Sequence, residues 1–150
     1  MRFLHLSAVA FGAAASLLAF QPLHAANLVL ITAAEAKLPP PQGVVASSRG
    51  VTRGPKVELV SRTGTIQSPS PLQLKFQTFG GAKIDIEAVQ ATYLRSPNVD
   101  LTPRIKPFVT LGGIDVPAAE LPPGEHILRV DIKDSDGRSG TATFVLKVEQ

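Results

Sequence analysis

The stretch Leu121–Val148 constrains the fold more than any other part of this sequence. Each half alternates apolar and polar side chains, which is the period of a strand with one buried face. The apolar phase of the first half is Leu128, Val130 and Ile132, and that of the second half is Ala142, Phe144, Leu146 and Val148. Residues 134–140 between them are typical of a turn, because Asp side chains bond nearby backbone and Gly adopts positive φ. The sequence therefore predicts a β-hairpin that needs a second sheet to cover its apolar face.

The composition fits short strands joined by turns and excludes several kinds of chemistry. The 150 residues include 13 Pro and 12 Gly, as expected for a small all-β domain. The sequence contains no Cys. Disulfides, thiol nucleophiles, Cys-ligated zinc and iron–sulfur centres are therefore excluded, as is the acylated Cys of a bacterial lipoprotein.

The charges argue against nucleic-acid binding. Residues 56–150 carry 11 basic and 11 acidic side chains, so this part of the chain is neutral. The basic excess lies before it, in Arg2, Lys37, Arg49 and Arg53, against the single acid Glu35. A nucleic-acid-binding domain would carry a basic face of its own.

The first 25 residues are typical of a secretory signal peptide. Arg2 precedes a largely apolar run to Phe20, Pro22 follows it, and Ala25 and Ala26 offer a small-residue cleavage site. The alternative is an uncleaved anchor, because the apolar run reaches the lower length limit for spanning a bilayer. We expect cleavage after Ala25 and, in a bacterium, a periplasmic or secreted protein with no further membrane contact.

Residues 26–55 form a Pro- and Gly-rich leader. Thr32 and Glu35 fit a capping box for a short helix, which Pro39–Pro41 would end. One interpretation is a flexible tether. The other is that Leu28–Leu38 docks onto the sandwich or onto a partner, because an apolar run outside the core needs cover.

Residues 56–150 are predicted to form one sandwich of about seven strands. The expected strands are residues 57–59, 72–77, 89–94 and 99–103, a hairpin of 105–111 with 114–116, and the final hairpin. Thr63–Pro71 is expected to be a turn, and Ile84–Ala88 a loop or helical turn. Prolines mark 99–107 and 116–123 as protected edges.

The C-terminal stretch resembles bacterial immunoglobulin-like modules. The resemblance rests on Leu121-Pro-Pro-Gly-Glu-His126, on the alternation of Leu128 and Val130, and on Asp134 and Gly137 in the turn. The chain is also similar to small exported bacterial proteins with one such module. The resemblance implies an all-β, immunoglobulin-like Greek-key sandwich, and it does not specify a function. A single module, rather than a tandem array, argues against a spacer.

The residue inventory does not favour catalysis. Removal of the signal would leave His126 as the sole histidine, because His5 and His24 lie before Ala26. The sequence has no G-x-S-x-G motif. We expect no catalytic residue and no cofactor, and we expect His126 to bond backbone at a sandwich corner, by analogy with the tyrosine corner.

A metal site is a second possibility for the final hairpin. Asp131, Asp134 and Asp136 offer oxygens of the kind that calcium prefers. Their spacing departs from an EF-hand, since Ile132 and Thr143 stand where acids would be needed. The other interpretation is a turn in which Asp131 points outward toward basic neighbours.

The remaining function classes are contact with a carbohydrate or with a protein. Carbohydrate modules use exposed aromatic platforms, whereas this chain has no Trp and one Tyr. An open sandwich has edge strands, and the Leu28–Ile31 run could extend a sheet. We therefore expect a non-enzymatic exported module that contacts an unidentified protein, with a calcium- or carbohydrate-binding module using residues 131–136 as the alternative.

Overall fold

The computed structural model describes residues 27–43, 53–61 and 64–149. The expected signal peptide and residues 44–52 of the leader lie outside the described residues. In chain order the strands are β1 (Leu28–Val29), β2 (Lys56–Leu59), β3 (Thr65–Ile66), β4 (Ser70–Gln77), β5 (Gln90–Tyr93), β6 (Val99–Asp100), β7 (Val109–Thr110), β8 (Gly113–Glu120), β9 (Gly124–Lys133) and β10 (Ser139–Val148). The short helices are α1 (Ala33–Ala36) and α2 (Thr102–Ile105), with 3₁₀ turns at Ile86–Ala88 and Lys106–Phe108. None of these helices is long or apolar enough to span a bilayer.

The strands form two facing sheets. One has the order β1-β8-β4-β2, with β7 also paired to β8, and the other has the order β3-β10-β9-β5-β6. The main strands thus divide as A-B-E and G-F-C do in an immunoglobulin sandwich. This confirms the predicted all-β, immunoglobulin-like sandwich. Within the described ranges, six strands are four residues or longer and four are two-residue pairings.

The final hairpin has the predicted alternation of inward and outward side chains. β9 and β10 pair without interruption from Ser139 opposite Lys133 to Val148 opposite Gly124. The inward side chains Leu128, Val130 and Ile132 are buried. On the facing sheet Leu72, Leu74 and Phe76 of β4 are buried in the same way. Alternation in the sequence therefore located both halves of the core.

The strand after the 3₁₀ turn also follows its prediction. Val89, Ala91 and Tyr93 share a phase and are buried. The turn Ile86–Ala88 begins after Asp85, whose carboxylate accepts a hydrogen bond from the Glu87 amide at 3.1 Å. β6 is the edge strand of its sheet, as expected for the first part of residues 99–107.

The prediction that residues 116–123 form an edge is wrong. They belong largely to β8, which pairs with β4 on one side and with β1 and β7 on the other. Between the pairs Leu72–Val116 and Ser70–Ala119 the register shifts. Pro71 and Pro117, which lack amide hydrogens, both lie in this irregularity. On its other side β8 pairs with β7 at Gly113 and Ile114 and with β1 at Ala119 and Glu120, so Pro117 lies between these two pairings.

Residues 102–108 are helical rather than extended, which corrects the predicted strand 105–111. Pro103 lies in the first turn of α2, where its missing amide hydrogen costs nothing. The Asp100 carboxylate accepts from the Thr102 amide at 2.9 Å, and Ile105 is buried. Only Val109–Thr110 of the expected arm pairs with β8.

The predicted Thr63–Pro71 turn also contains strand residues. β3 pairs in parallel with the end of β10, and β4 begins at Ser70. A two-residue strand has no alternation to detect, so the sequence could not show it.

The described part of the leader, residues 27–43, contacts the sandwich rather than standing apart from it. β1 extends the first sheet beside β8, and Leu30 and Ile31 are fully buried. The predicted capping box is present: the Thr32 hydroxyl accepts from the Glu35 amide, and the Glu35 carboxylate accepts from the Thr32 amide. In the structure Leu28–Leu38, the N-terminal segment, therefore docks onto the sandwich.

Candidate functional site

The three aspartates of the metal hypothesis lie in two different places. Asp131 lies on β9, and its carboxylate accepts from Thr141 Oγ1 at 2.6 Å and from Arg129 Nε at 2.9 Å. Its side chain thus points outward toward a basic neighbour, as the sequence suggested. Asp134 and Asp136 lie in the turn that follows β9.

Asp134 is buried and fully engaged by the chain itself. Its Oδ1 accepts from the amides of Asp136 and Arg138, and its Oδ2 accepts from Arg138 Nε at 2.9 Å. Burial raises the pKa of Asp134, but the Arg138 amide and guanidinium outweigh it, so the net pKa is lowered. Arg138 Nη2 also donates to Asp136 at 2.8 Å. A guanidinium therefore occupies the position that a cation would need.

The described residues contain no group of three His, Cys, Asp or Glu side chains arranged to hold a metal ion. The hairpin carboxylates order the turn through Arg138 and Thr141. Calcium binding at Asp131, Asp134 and Asp136 would require those hydrogen bonds to break.

His126 lies at the start of β9 in a buried chain of hydrogen bonds. Its Nε2 is 2.7 Å from the Pro122 carbonyl, and its Nδ1 is 3.0 Å from the Tyr93 hydroxyl. A carbonyl only accepts, so Nε2 carries the proton and Nδ1 accepts from Tyr93. Arg95 Nε in turn donates to the Tyr93 oxygen at 2.6 Å, and Arg95 Nη2 donates to the Glu125 carbonyl. The backbone bond expected of His126 is therefore present.

The surroundings of His126 favour its neutral form. Burial lowers its pKa most, the Arg95 charge lowers it further, and the Pro122 carbonyl partly opposes both. His126 is 1% exposed, and both of its ring nitrogens take part in hydrogen bonds. A proton-transfer role would need contact with a substrate, which this position does not offer.

The space that the described residues leave between the two sheets is too small for a ligand of useful size. A cavity of about 20 Å³ lies between the sheets, and only apolar residues line it. That volume holds about one water molecule, and an apolar lining leaves such a space dry. Tyr93 and Phe76 are buried, so neither can form an aromatic platform for a sugar. Phe79 is 42% exposed, and the Lys56 ammonium lies 5.5 Å from its ring centroid.

The outer edge of β10 is the feature that sequence reasoning missed. The amide of Glu149 donates to Ile66 of β3, so the odd-numbered residues of β10 direct their backbone groups away from β9. The backbone N–H and C=O groups of Thr141, Thr143 and Val145 therefore point away from β9. Among the described residues, β3 pairs with this edge only at Lys147 and Val148. Gly54 and Pro55 lie against Ser139 and Gly140, and β2 packs close to β10 without a backbone hydrogen bond to it.

Side chains beneath this edge are incompletely covered. Ala142 and Phe144 point toward the core but remain half-buried, as does Leu59 of β2 across from them. On the outer face Val145 is 50% exposed. We call residues 141–146 the open β10 edge. The one sequence signal for it is an apolar β-branched residue, Val145, in the otherwise polar outward phase.

Comparison with known proteins gives no family. No family model matches the sequence, and no curated protein matches it. Among solved structures the chain is similar to murine CRIg, at 11% sequence identity and a TM-score of 0.36. That alignment covers 63% of this chain and 96% of the CRIg chain. The fold assignment rests on the strand order of the two sheets.

Proposed function

We propose that this chain is a non-enzymatic, exported, bacterial immunoglobulin-like module that binds a partner protein through the open β10 edge. The observation that carries the proposal is the coincidence of outward backbone groups with half-buried core side chains at residues 141–146. A strand supplied by the partner would pair with these backbone groups and cover these side chains. Binding would therefore complete a sheet and a core in one step.

The side chains of this edge favour strand addition. Exposed edges in soluble proteins are usually protected by charged residues, prolines or a very short strand. Thr141, Thr143 and Val145 are instead β-branched and uncharged, which is the composition that pairs best with another strand. The opposite edge of the same sheet is the two-residue β6, which offers little to a partner.

Two further observations support the other parts of the proposal. Both ring nitrogens of His126 are used in buried hydrogen bonds, which supports a non-enzymatic module. The apolar run and the Ala25–Ala26 site of the first residues support export.

Site-specific photo-crosslinking tests the proposal in the native host. A benzophenone amino acid at Val145 should give a discrete cross-linked protein, because this side chain borders the edge. Leu111 is the matched control, since it is 59% exposed but lies in the β7–β8 turn. Cross-links of equal yield at both positions would show that the edge has no partner.

A pair of lysine substitutions tests the same edge by loss of binding. Val145→Lys adds a charge that disfavours strand pairing, whereas Leu111→Lys makes the same change elsewhere. Both side chains are at least half exposed, so both variants should fold. We expect V145K to abolish capture of the cross-linked partner and L111K to retain it. Equal capture by both variants would contradict the proposal.

A further inference from the structure

An open cleft of about 650 Å³ lies on the outer face of the second sheet. Arg129 of β9 and Thr143 of β10, which are register partners, line it together with residues 94–98 and residues 41–43. The described residues that line it include two arginines and no Asp or Glu, so the lining is positively charged. We call this surface the Arg95 cleft.

Arg95 is held in one position by neutral groups. Its Nε donates to the Tyr93 oxygen at 2.6 Å, and its Nη2 donates to the Glu125 carbonyl at 3.0 Å. Its guanidinium carbon lies 5.0 Å from the centroid of the Tyr93 ring. Because Tyr93 is itself buried and bonded to His126, the guanidinium is fixed before any ligand arrives.

The charge of Arg95 is not balanced by any described side chain. Arg129, the other arginine of the cleft, pairs with Asp131 at 2.9 Å. Arg95 is half-buried, yet no described carboxylate lies within ion-pair distance of it. Burial and the charge of Arg95 both lower the pKa of His126, so this charge is felt at the neighbouring corner. A partly buried charge without a counter-ion favours the binding of an anion.

The cleft also offers hydrogen-bond donors that the described residues leave unused. Nη1 of Arg95 and both Nη groups of Arg129 make no hydrogen bond to a described residue. The Thr143 hydroxyl and the Asn98 side-chain amide belong to the same lining and can donate. A carboxylate only accepts hydrogen bonds, and a guanidinium matches its two oxygens. The donors and the unbalanced charge therefore suit the same chemical group.

We infer that the Arg95 cleft binds the carboxylate group of a ligand, with Arg95 as its anchor. The single unbalanced positive charge is neutralised by one carboxylate. Thr143 belongs both to this cleft and to the open β10 edge, so an acidic side chain of a bound partner strand can supply this group. A free carboxylate compound is the other source. The first source rests on the proposed function, whereas the second does not.

Titration of the purified protein with sodium succinate tests the cleft directly. The backbone amide resonances of Arg95, Asn98 and Thr143 are followed by NMR. Sodium chloride of equal ionic strength is the reference, because it screens long-range charge to the same extent. We expect saturable shifts at these residues with a midpoint on the order of 10 mM, as suits so small a ligand. The absence of a saturable shift up to about 100 mM succinate would overturn the inference.

Three glutamine substitutions locate the binding. Arg95→Gln removes the anchor and should weaken succinate binding about tenfold or more, as expected for a lost charge-assisted hydrogen bond. Because R95Q also loses the hydrogen bond to Tyr93, Arg129→Gln is the second variant, and it should weaken binding severalfold with that corner intact. Lys75→Gln is the matched control, since this exposed lysine of β4 lies on the outer face of the other sheet. Equal affinity in all three variants would overturn the inference, as would tighter binding of inorganic phosphate than of succinate.

Photo-crosslinking from Val145 identifies the source of the carboxylate. Loss of the cross-linked protein in R95Q and R129Q, but not in K75Q, assigns the carboxylate to an acidic side chain of the partner. Retention of the cross-linked protein in all three variants assigns it to a free carboxylate compound. If Val145 gives no cross-linked protein even without these substitutions, the proposed function fails, while the succinate titration still decides on the cleft.

Discussion

The hydroxyl of Tyr93 lies 3.0 Å from Nδ1 of His126, and both side chains are buried between the sheets. Tyr93 donates this hydrogen bond while its oxygen accepts from Arg95. If Nδ1 of His126 were also protonated, its N–H would face the hydroxyl hydrogen of Tyr93, and the hydrogen bond between them would be lost. The corner is therefore built for a neutral imidazole.

We predict that the protein loses stability as the pH falls through the range of histidine titration. The folded pKa of His126 is below its unfolded value of about 6.5, so the unfolded chain binds the extra proton. The stabilisation is complete above about pH 6.5 and is lost as the pH falls toward the folded pKa. The slope should reach at most about 1.4 kcal/mol per pH unit, measured by urea unfolding from pH 5 to pH 8.

His126→Gln provides the control for that pH dependence. Glutamine can still donate to the Pro122 carbonyl but does not titrate. The variant should show a flat profile between pH 5.5 and 7 in the same measurement. A slope that persists in H126Q would assign the titration to another group.

We predict that Glu35→Gln destabilises the protein by about 1–3 kcal/mol, the usual cost of a lost charge-assisted hydrogen bond. The hydrogen bond from Arg104 lowers the pKa of Glu35 from 4.5 to about 2. The stabilisation is therefore present above about pH 4.5 and is lost as the pH falls toward 2. Urea unfolding at pH 7 and at pH 3 measures both the loss and its pH dependence.

Glu87→Gln is the matched substitution for this experiment. Glu87 pairs with Lys106 at 2.6 Å, but both side chains are more than half exposed. Surface pairs of this kind contribute about 0–1 kcal/mol. Equal losses in E35Q and E87Q would mean that the Arg104 contact does not hold the N-terminal segment.

We predict that Gly140→Ala is strongly destabilising, by about 3 kcal/mol, because close packing leaves no room for its methyl group. A Cβ at this position would overlap the carbonyl of Pro55, which belongs to the backbone and cannot turn aside. Gly112→Ala is the control, since the nearest atom to its added carbon would be Thr110 Oγ1 at 4.0 Å. That change should alter the free energy of unfolding by less than about 0.5 kcal/mol. Comparable stability of the two variants would refute the contact between Pro55 and β10.

We predict that millimolar calcium leaves the melting temperature unchanged. The two carboxylate oxygens of Asp134 already accept three hydrogen bonds, two of them from Arg138. A specific cation site would raise the melting temperature by mass action. A rise with calcium that is absent with magnesium would restore the metal hypothesis for the hairpin.

The parts of the fold that sequence analysis located are those whose pattern is local. Alternation over many residues predicted both arms of the final hairpin and the buried face of β4. In a strand every second side chain points to the same face, so the pattern shows in the sequence itself. The capping box of Thr32 and Glu35 is equally local. These features need no knowledge of the rest of the chain.

The parts that were missed depend on residues far apart. Pro103 is compatible with an edge strand or with the first turn of a helix. The helix is favoured by the hydrogen bond from the Ala91 amide to the Thr102 hydroxyl and by the burial of Ile105. Pro117 lies where β8 has one residue more than β4 between two register pairs, which depends on the pairing of both strands. The open β10 edge is visible only once β3 is seen to pair with its last residues.

The docking of the N-terminal segment also bears on the order of folding. Leu30 and Arg104, whose guanidinium donates to the Leu30 carbonyl, are 74 positions apart. Chains are synthesised from the N-terminus, so Leu30 and Ile31 emerge well before β8 and α2 exist to cover them. Leu30 and Ile31 therefore stay exposed to solvent in a newly made chain until the residues of α2 and β8 have also been made.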